Sequence, residues 1–447
     1  MASTAEQLAA NLNFGAFAKA TELKKRLWFT LGALIVYRIG TYIPLPGIDP
    51  LVLEDIFRSQ SQGILGMFDM FAGGALRRMT IFALNIMPYI SAAIIMQLMT
   101  AISPNLNQLK KEGEAGRKKI NQYTRYGTVV IAALQAYGIS VGLEGMSSSV
   151  GPAVADPGLY FRFSAVVTMV GGTLFLMWLG EQITQRGVGN GISLIIFSGI
   201  VANVPRALVN TLELGRTGAL SPAVIAFLLI GAVLVVAFIV FMESAQRRII
   251  IQYPKRQVGN KMFGGESSHL PLKLNASGVI PLIFASSLLL MPITVAQFTA
   301  ANGPAWLTTV TALLGRGQPL HLAIYVSLII FFAFFYTSVV FNPVETADNL
   351  KKHGGFVPGI RPGKNTADYL DYVLTRLTVV GAAYLSVVAI IPEWLISQWS
   401  VPFFFGGTSL LIVVTVTLDT VAQVQSHLLA HQYEGLIKKS RLRGRRR

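Results

Sequence analysis

The chain has 447 residues, of which 53% are hydrophobic and only 13% are charged, whereas about 25% of residues in soluble domains carry charge. A soluble protein needs a charged shell around its core, so this composition excludes a soluble globular domain and indicates an integral membrane protein. The chain has no cysteine, which excludes disulfides and thiolate metal sites. Its net charge of +16 is large, and the placement of that charge predicts the topology.

Ten apolar segments along the chain are long enough to cross a bilayer. A helix rises about 1.5 Å per residue, so a hydrocarbon layer about 30 Å thick needs about 20 apolar residues. The first 23 residues lack a continuous apolar stretch, so we expect the first span, and no cleavable signal peptide, to direct insertion. The predicted spans are 26–44, 79–100, 122–143, 161–182, 191–208, 221–242, 275–297, 320–342, 372–392 and 404–428.

Most Lys and Arg residues fall in segments that alternate with stretches poor in both. Such segments mark cytoplasmic loops under the positive-inside rule. The pattern predicts that both termini are cytoplasmic, with residues 1–23 before the spans and a basic tail at 430–447. The basic segments are 19–26, 110–125, Arg186, 247–273, 351–376 and 438–447.

Ten spans divide into two groups of five, an N-terminal half at 24–208 and a C-terminal half at 209–429. Because five is odd, the second half is inverted relative to the first, and inverted halves place a pathway at their shared interface near the midplane. The predicted fold class is an all-α integral membrane protein of ten transmembrane helices in two inverted five-helix halves.

Two cytoplasmic loops, 243–274 and 343–371, are longer than topology alone requires. Their basic residues satisfy the positive-inside rule, and loops of this size are also typical of docking surfaces for an acidic or RNA-rich partner. Both interpretations remain open. The basic residues include Arg247, Arg248, Lys255, Arg256, Lys351, Lys352 and Arg361.

The spans lack the mid-membrane ionisable residues typical of ion-coupled carriers and the motifs typical of enzymes. Asp419 is the main acid inside a predicted span, and Arg38 lies near the outer end of the first span, where it can snorkel. Segment 187–191 (GVGNG) superficially resembles a nucleotide-binding loop, but it lacks a preceding strand, and a tight turn is favoured. His427 and His431 have zinc-ligand spacing without a third ligand, so interface histidines are favoured.

Isoleucines recur with helical spacing on two spans. Ile86 and Ile90 lie four residues apart on the second span, and Ile192 and Ile196 repeat this spacing on the fifth. Such residues usually face lipid or pack between helices, whereas a narrow ring of aliphatic side chains can also block ions by dewetting.

Several strings resemble the SecY family of protein-conducting channels, and the resemblance runs from about residue 20 to the C-terminal tail. The strings appear in the same order along the chain, with sensible gaps between them. They are MFDMFAGGAL at 67–76, IFALNIMPYIS at 81–91, KKEGE at 110–114, QYTRYG at 122–127, MWLGEQIT at 177–184, HLPLK at 269–273, FNP at 341–343, ETADNLKK at 345–352, FVPGIRPG at 356–363 and FGGTSLLI at 405–412.

The resemblance implies an hourglass pore that opens across the membrane and sideways into lipid. Its central ring would consist of Ile86, Ile90, Ile192, Ile196, Ile283 and Ile412. A plug at about 62–74 would include Gly63, Met67, Phe68, Met70, Phe71, Gly73 and Gly74, although an interfacial helix fits the same residues. A lateral gate would include Ser91, Gln97 and Asn275, for which simple helix–helix hydrogen bonding is the alternative.

The same resemblance implies a pore subunit without catalysis, metal or cofactor in a bacterial inner membrane. Its implied partners are the SecE and SecG subunits, the SecA motor ATPase, the ribosome, signal-sequence-bearing polypeptides and membrane lipids. The basic loops, with Arg361 foremost, would dock the ribosome and SecA. Asn260 and Lys261 stand where some relatives carry two arginines, which weakens phosphate contacts there. A secondary transporter for a small solute is the alternative function.

Overall fold

The computed structural model describes residues 20–50, 52–53, 69, 72–148, 151–218, 221–254, 256–258, 261–263, 267–299, 313, 318–399 and 407–444. Within these residues the helices are α1 (Thr21–Gly40), α2 (Met87–Ile102), α3 (Pro104–Lys111), α4 (Glu114–Glu144), α5 (Leu159–Arg186), α6 (Gly191–Arg216), α7 (Pro222–Ser244), α8 (Ile280–Thr299), α9 (Pro319–Val340), α10 (Pro343–Lys352), α11 (Lys364–Trp399) and α12 (Gly407–Gly444). The strands are β1 (Ser147–Ser148), β2 (Gly151–Pro152), β3 (Gln246–Gln252), β4 (Arg256–Val258), β5 (Lys261–Phe263) and β6 (Ser267–Lys273).

The ten predicted spans correspond in order to α1, α2, α4, α5, α6, α7, α8, α9, α11 and α12. Among the described residues, seven helices are long and apolar enough to cross a membrane, and the pair α2–α3, bent by 98°, makes eight. The other two are α1, whose first turns carry Lys24, Lys25 and Arg26, and α8, whose apolar stretch is described over Ile280–Leu289. The prediction of an all-α membrane protein is confirmed.

The second span begins later than its hydropathy suggests. Residues 79–86 were predicted as helix, but α2 begins at Met87, with Pro88 in its first turn. The preceding segment instead forms turns tied to the chain after α1: Leu45 N donates to Met79 O at 2.9 Å, and Ile81 N donates to Ile43 O at 3.0 Å. Main-chain hydrogen bonds to a distant segment satisfy the polar groups that a helix would otherwise satisfy.

Phe82 fills a notch between α1 and α5. A Cβ added to Gly40 would lie 2.0 Å from the Phe82 ring, and one added to Gly172 would lie 2.0 Å from Ile81 O. The ring of Phe82 stacks on Tyr37 at a centroid distance of 6.1 Å. Glycines on both helices therefore allow the turn before α2 to pack deep inside the helical layer.

The predicted halves meet on two sides. On one side α8 packs against α2 and α4, and on the other α12 packs against α1 and α6. One cluster of buried apolar side chains lies between them, with members from both halves. The predicted boundary at 208/209 falls inside α6, which continues to Arg216.

The loop at 243–274 contains β-structure that the sequence reasoning did not predict. β3 and β6 form an antiparallel ribbon in which Arg247 lies opposite Leu272, and β4 pairs with β5 nearer the tip. The tail predicted at 430–447 is also ordered in part, because α12 continues to Gly444.

Candidate functional site

The six isoleucines predicted to form a ring come from four parts of the fold. Ile86 immediately precedes α2 and Ile90 lies in its first turn, while Ile192 and Ile196 lie near the start of α6. Ile283 lies in the first turn of α8 and Ile412 in the second turn of α12. Five are 8% exposed or less, Ile192 is partly buried, and all six belong to or pack against one apolar cluster. The fold therefore brings them into a common core.

A cavity of about 460 Å³ adjoins this cluster, lined by polar side chains and by apolar ones that include Val279, Ile280 and Val416. Ser193 follows Ile192 directly, and Thr415 lies three residues after Ile412, so the cavity begins beside the isoleucines. Asp419 lies farther along α12 and is 3.8 Å from the Nζ of Lys273 on β6. The cavity is therefore a vestibule on the side of the basic loops, lined also by Asn190, Ser277, Thr420 and Gln423.

The contact of α8 with α2 and α4, which we call the seam, is mostly apolar. The hydroxyl of Ser287 on α8 donates to the Met87 Sδ on α2 at 3.5 Å. Ser91 is buried on α2, and Gln97 is half-buried there, with its Oε1 enclosed and without a hydrogen-bond partner among the described residues. A hydroxyl–thioether hydrogen bond is weak because sulfur is a poor acceptor.

Asn275, the third residue predicted for the lateral gate, makes its hydrogen bonds within the C-terminal half. Its Nδ2 donates to Glu243 Oε1 at 2.8 Å and to Gly278 O at 3.0 Å, and its Oδ1 accepts from Ser277. These bonds shape the turn that precedes α8. Asn275 therefore positions the start of a seam helix.

The end of the predicted plug is fastened to α1. Arg38 Nη1 donates to Gly73 O at 2.7 Å, and the Tyr37 hydroxyl donates to Ala72 O at 3.4 Å. Gly73 and Gly74 have φ of +66° and +85°, which favours glycine. The remaining predicted plug residues, Gly63, Met67, Phe68, Met70 and Phe71, lie outside the described residues.

Asp69 is linked to the same fastening. Its Oδ1 accepts a hydrogen bond from Arg77 N at 2.8 Å, and its main-chain oxygen accepts one from Gly74 N at 3.0 Å. Burial raises the pKa of the Asp69 carboxyl, while the Arg77 N–H and the guanidinium groups of Arg77 and Arg78 oppose this rise. The hydrogen bonds hold the chain that leads out of the predicted plug in a defined turn.

The two basic loops form one surface. Gln252 at the end of β3 pairs with Phe356 as an isolated antiparallel bridge. Ile249, Leu272 and Val357 also share a small apolar cluster with Leu370 and Leu374 of α11. The two loops are therefore held together by main-chain bonds and by a common core.

The cations predicted for docking project from this surface. Arg247 and Arg248 are exposed on β3, Lys351 and Lys352 on the last turn of α10, and Arg361 beyond them. The Arg361 carbonyl accepts a hydrogen bond from Thr366 Oγ1 at 2.9 Å, which fixes the turn. Arg256 begins β4, and Lys255 lies outside the described residues.

Sequence reasoning missed Arg38 and Tyr37 as anchors for the predicted plug. The only sequence signal was an arginine near the end of an apolar span, which snorkelling explained equally well. It also missed the pairing between the basic loops, because no local pattern encodes a bridge between residues 252 and 356. Among the described side chains, no group of three or more His, Cys, Asp or Glu residues could hold a metal ion.

Solved structures define the class of fold. A structure of a protein-conducting channel matches with a TM-score of 0.66 over 91% of this chain and 92% of that chain, at 18% identity. The Sec61 chain in a canine ribosome-channel complex from the endoplasmic reticulum gives a TM-score of 0.63 over the same shares, also at 18% identity. The chain therefore has the helical fold of these membrane channels.

Sequence comparison gives the family. The sequence model of the SecY family matches residues 80–421. The protein translocase subunit SecY of Escherichia coli (strain K12) is 57% identical over 427 residues, which cover 95% of this chain and 96% of that protein. The chain belongs to the SecY family, and the resemblance carried by its motifs is confirmed.

Proposed function

We propose that this chain is the pore subunit of a protein translocase. It conducts unfolded secretory polypeptides across the membrane and releases membrane-protein helices sideways into lipid. The observation that carries the proposal is the packing of six isoleucines from four parts of the fold in one apolar cluster beside a vestibule lined by polar and apolar residues. A polypeptide enters through this vestibule and then passes an aliphatic constriction that makes no sequence-specific hydrogen bonds.

The isoleucine ring acts as the ion barrier of the resting channel. A narrow aliphatic constriction excludes water and ions because neither finds a polar partner there. Flexible aliphatic side chains can also fit around many translocating sequences. The predicted plug, whose end at Gly73 is fastened to Arg38, adds a second barrier.

The seam serves as the lateral exit. The hydrogen bond from Ser287 to Met87 across it is weak, and Ser91 and Gln97 add polar groups to α2. A hydrophobic substrate helix gains free energy on leaving a partly polar seam for lipid. Family membership favours this protein-conducting function over the alternative of a secondary transporter.

A channel without catalysis or a cofactor of its own depends on other proteins for its energy and for the rest of the membrane complex. SecA or chain elongation on the ribosome supplies the energy, and SecE and SecG complete the membrane complex. The joined basic loops support docking of SecA and the ribosome, and the structural likeness to a Sec61 chain from a ribosome-channel complex adds to that support. Exposed apolar helix faces contact membrane lipids.

The proposed location is the bacterial inner membrane, with both termini in the cytoplasm. The N-terminal half runs from about residue 24 to the connection between α6 and α7. The C-terminal half runs from there to about residue 429. Lys24, Lys25 and Arg26 at the start of α1 support the cytoplasmic N-terminus. Single cysteines placed at Lys25 and Arg216, in a chain that otherwise has none, test this with a membrane-impermeant maleimide. Labelling of both from the same side would contradict it.

The pathway is tested by photocrosslinking in membrane vesicles that contain SecA and a stalled secretory precursor. A photoreactive residue at Ile90 or Ile196 is expected to form adducts with the precursor. The matched control is Ile95 on α2, which is 47% exposed to the surroundings of the helix. Adducts should disappear when the signal sequence is removed. Equal adducts at all three positions, or none despite verified targeting, would mean that the ring is misplaced.

A further inference from the structure

Left-handed backbone at two non-glycine residues marks the segment between the predicted plug and α2. Met79 has φ of +44° and Asn85 has φ of +50°, and no other non-glycine residue in the described part of the chain has a positive φ. L-residues rarely adopt this conformation, because Cβ then lies too close to the following carbonyl oxygen. Both residues are buried, at 0% and 2% exposure. Residues held in such conformations concentrate at functional sites, and Asn85 directly precedes Ile86 of the predicted ring.

The residue at the start of α2 is a poor choice for helix stability. Ile86 occupies the capping position, and no side chain there accepts a hydrogen bond from the first turn. Isoleucine is among the least favourable residues at this position, where Ser, Thr, Asp and Asn are preferred. Its φ of −93° and ψ of 0° lie in a sparsely populated region between helix and strand. Local helix stability therefore does not explain why an isoleucine stands at this point.

Asn85 joins an anchored turn to this helix start. Asn85 N donates to Phe82 O at 2.9 Å, and Ile90 N donates to Ile86 O at 3.1 Å. One turn therefore ends at Asn85, and the first helical turn opens at the next residue. Ile86 and Ile90 are four residues apart on that turn, so they lie on the same side of the helix, and both are buried in the apolar cluster of the ring.

The turn before Asn85 is held by aromatic packing. The ring of Phe82 stacks on Tyr37 and on Phe175, at centroid distances of 6.1 Å and 5.9 Å. A different φ at residue 85 would therefore be taken up on the other side, at the start of α2, where no side-chain cap resists it. The isoleucine pair on that first turn would then rotate out of the cluster.

Asn342 shows the other way in which an asparagine serves a helix start. Its Oδ1 accepts hydrogen bonds from Val344 N at 3.1 Å and from Glu345 N at 3.4 Å, and its φ of −102° lies in the common negative range. Its side chain therefore caps α10. Asn85 instead has the left-handed φ, which asparagine tolerates better than most non-glycine residues. The backbone conformation of Asn85 is the feature that distinguishes it.

We propose that Asn85 is a positioning residue of the isoleucine ring. Its left-handed backbone sets the direction in which α2 begins and thereby holds Ile86 and Ile90 in the constriction. Asn85 acts through these two isoleucines and needs no contact with the translocating polypeptide. The inference rests on the proposed function as a protein-conducting channel, because the ring is part of that function.

Three substitutions separate the backbone of Asn85 from its side chain. Asn85→Gly removes the side chain and keeps the left-handed conformation accessible. Asn85→Ala and Asn85→Ser lower the population of that conformation by about tenfold. Each purified variant is assembled with its partner subunits in planar bilayers, and its resting ion conductance is measured without a precursor. Asn85→Gly is expected to stay as tight as the unaltered channel, whereas Asn85→Ala and Asn85→Ser are expected to leak.

Two controls separate loss of ring position from a general loss of stability. Asn342→Ser keeps a capping oxygen at a negative φ, so this channel should stay tight. Glu144→Ala removes the ion pair with Arg162, so it should lower the unfolding temperature in detergent without a leak. The unfolding temperature of each Asn85 variant is measured in the same detergent. A leak in Glu144→Ala equal to that in Asn85→Ala would overturn the proposal, because lost stability would then account for both.

Tight Asn85→Ala and Asn85→Ser channels would overturn the proposal. A leak in Asn85→Gly equal to theirs would also overturn it, because the side chain and not the backbone would then be the cause. If Asn85→Ala fails to fold, Asn85→Ser and Asn85→Gly give the same comparison. Ile86→Ala combined with Ile412→Ala separates this failure from failure of the proposed function. If that double variant is tight, the ring itself is wrong; if it leaks and Asn85→Ala does not, only the positioning role is wrong.

Discussion

Gln252 and Phe356 exchange main-chain hydrogen bonds of 2.9 Å and 3.0 Å, although 104 positions separate them in the chain. This bridge attaches the end of β3 to the loop that follows α10. Two basic segments that look independent in the sequence are thereby joined at Gln252 and Phe356. A partner that binds one loop is presented with the other in a fixed relative position.

Removing the bridge is expected to loosen the second loop. Gln252→Pro eliminates the N–H that donates to Phe356 O. The net value of one hydrogen bond is about 0.5–1.5 kcal/mol, so the Phe356 amide should exchange with solvent up to about tenfold faster. Hydrogen–deuterium exchange measures this. Gln252→Ala keeps the main-chain bonds and is the control, so equal exchange in the two variants would contradict the prediction.

Arg361→Ala is expected to weaken binding of the ribosome to vesicles that contain the channel. If Arg361 contacts a phosphate, the slope of log affinity against log salt concentration should fall by about one. The matched control is Arg216→Ala. Arg216 is an exposed arginine at the C-terminal end of α6, where it pairs with Glu213. Binding titrations at several salt concentrations provide the measurement. Similar curves for both variants would argue against docking through Arg361.

Shortening the ring is expected to make the resting channel leak ions. Ile86→Ala combined with Ile412→Ala widens the constriction at two fully buried positions, so water can enter and carry ions. Conductance in planar bilayers without a precursor measures the leak. Each truncation also costs about 2–5 kcal/mol of stability, so unfolding is measured in parallel. Ile95→Ala, on an exposed face of α2, should remain tight, and a leak there would undermine the assignment.

Adjacent glycines on α5 are expected to respond in opposite ways to alanine. At Gly172 a Cβ would lie 2.0 Å from Ile81 O, a main-chain atom, whereas at Gly171 it would meet nothing within 4 Å. Gly172→Ala should therefore lower the thermal unfolding temperature in detergent by forcing α5 away from the turn before α2. Gly171→Ala should be neutral or stabilising by up to about 1 kcal/mol, from helix propensity. Equal changes in unfolding temperature for the two variants would mean that α5 does not pack closely against Ile81 and Phe82.

The ion pair at the ends of α4 and α5 is expected to matter more than an exposed pair. Arg162 Nη2 lies 2.6 Å from Glu144 Oε2, and Glu144 Oε1 also accepts from Gly158 N at 3.0 Å. The Glu144 side chain is only 11% exposed. Glu144→Ala should lower the free energy of unfolding by about 1–3 kcal/mol. Glu213→Ala should lower it by at most about 0.5 kcal/mol.

Thermal unfolding in detergent, with both variants in the same buffer, separates these two values. Added salt is expected to reduce the small Glu213 effect further, because that pair is exposed and screened. It should change the Glu144 effect less. A Glu144→Ala variant as stable as Glu213→Ala would show that the partly buried pair contributes nothing measurable.

The sequence by itself determined the membrane character, the order of the spans and the family. Transfer of an apolar helix into lipid depends mainly on the residues of that helix, so runs such as 221–242 are visible locally. Short strings such as ETADNLKK at 345–352 carry the family resemblance in the same local way. The six isoleucines could be named only through that resemblance, because their spacing also suits ordinary packing.

The tertiary structure alone decided which local tendencies prevail and which distant residues meet. The apolar segment before Met87 is not helical because Ile43 and Leu45 take up its main-chain hydrogen bonds. In the turn 187–191, a Cβ on Gly187 would meet Thr30 of α1 and a Cβ on Gly191 would meet the main chain of Gly180 on α5. Gly189 N donates to Gln423, a residue more than 200 positions away. Hydropathy reports the free energy of moving one segment into lipid, whereas these contacts depend on the position of another segment, which no local pattern contains.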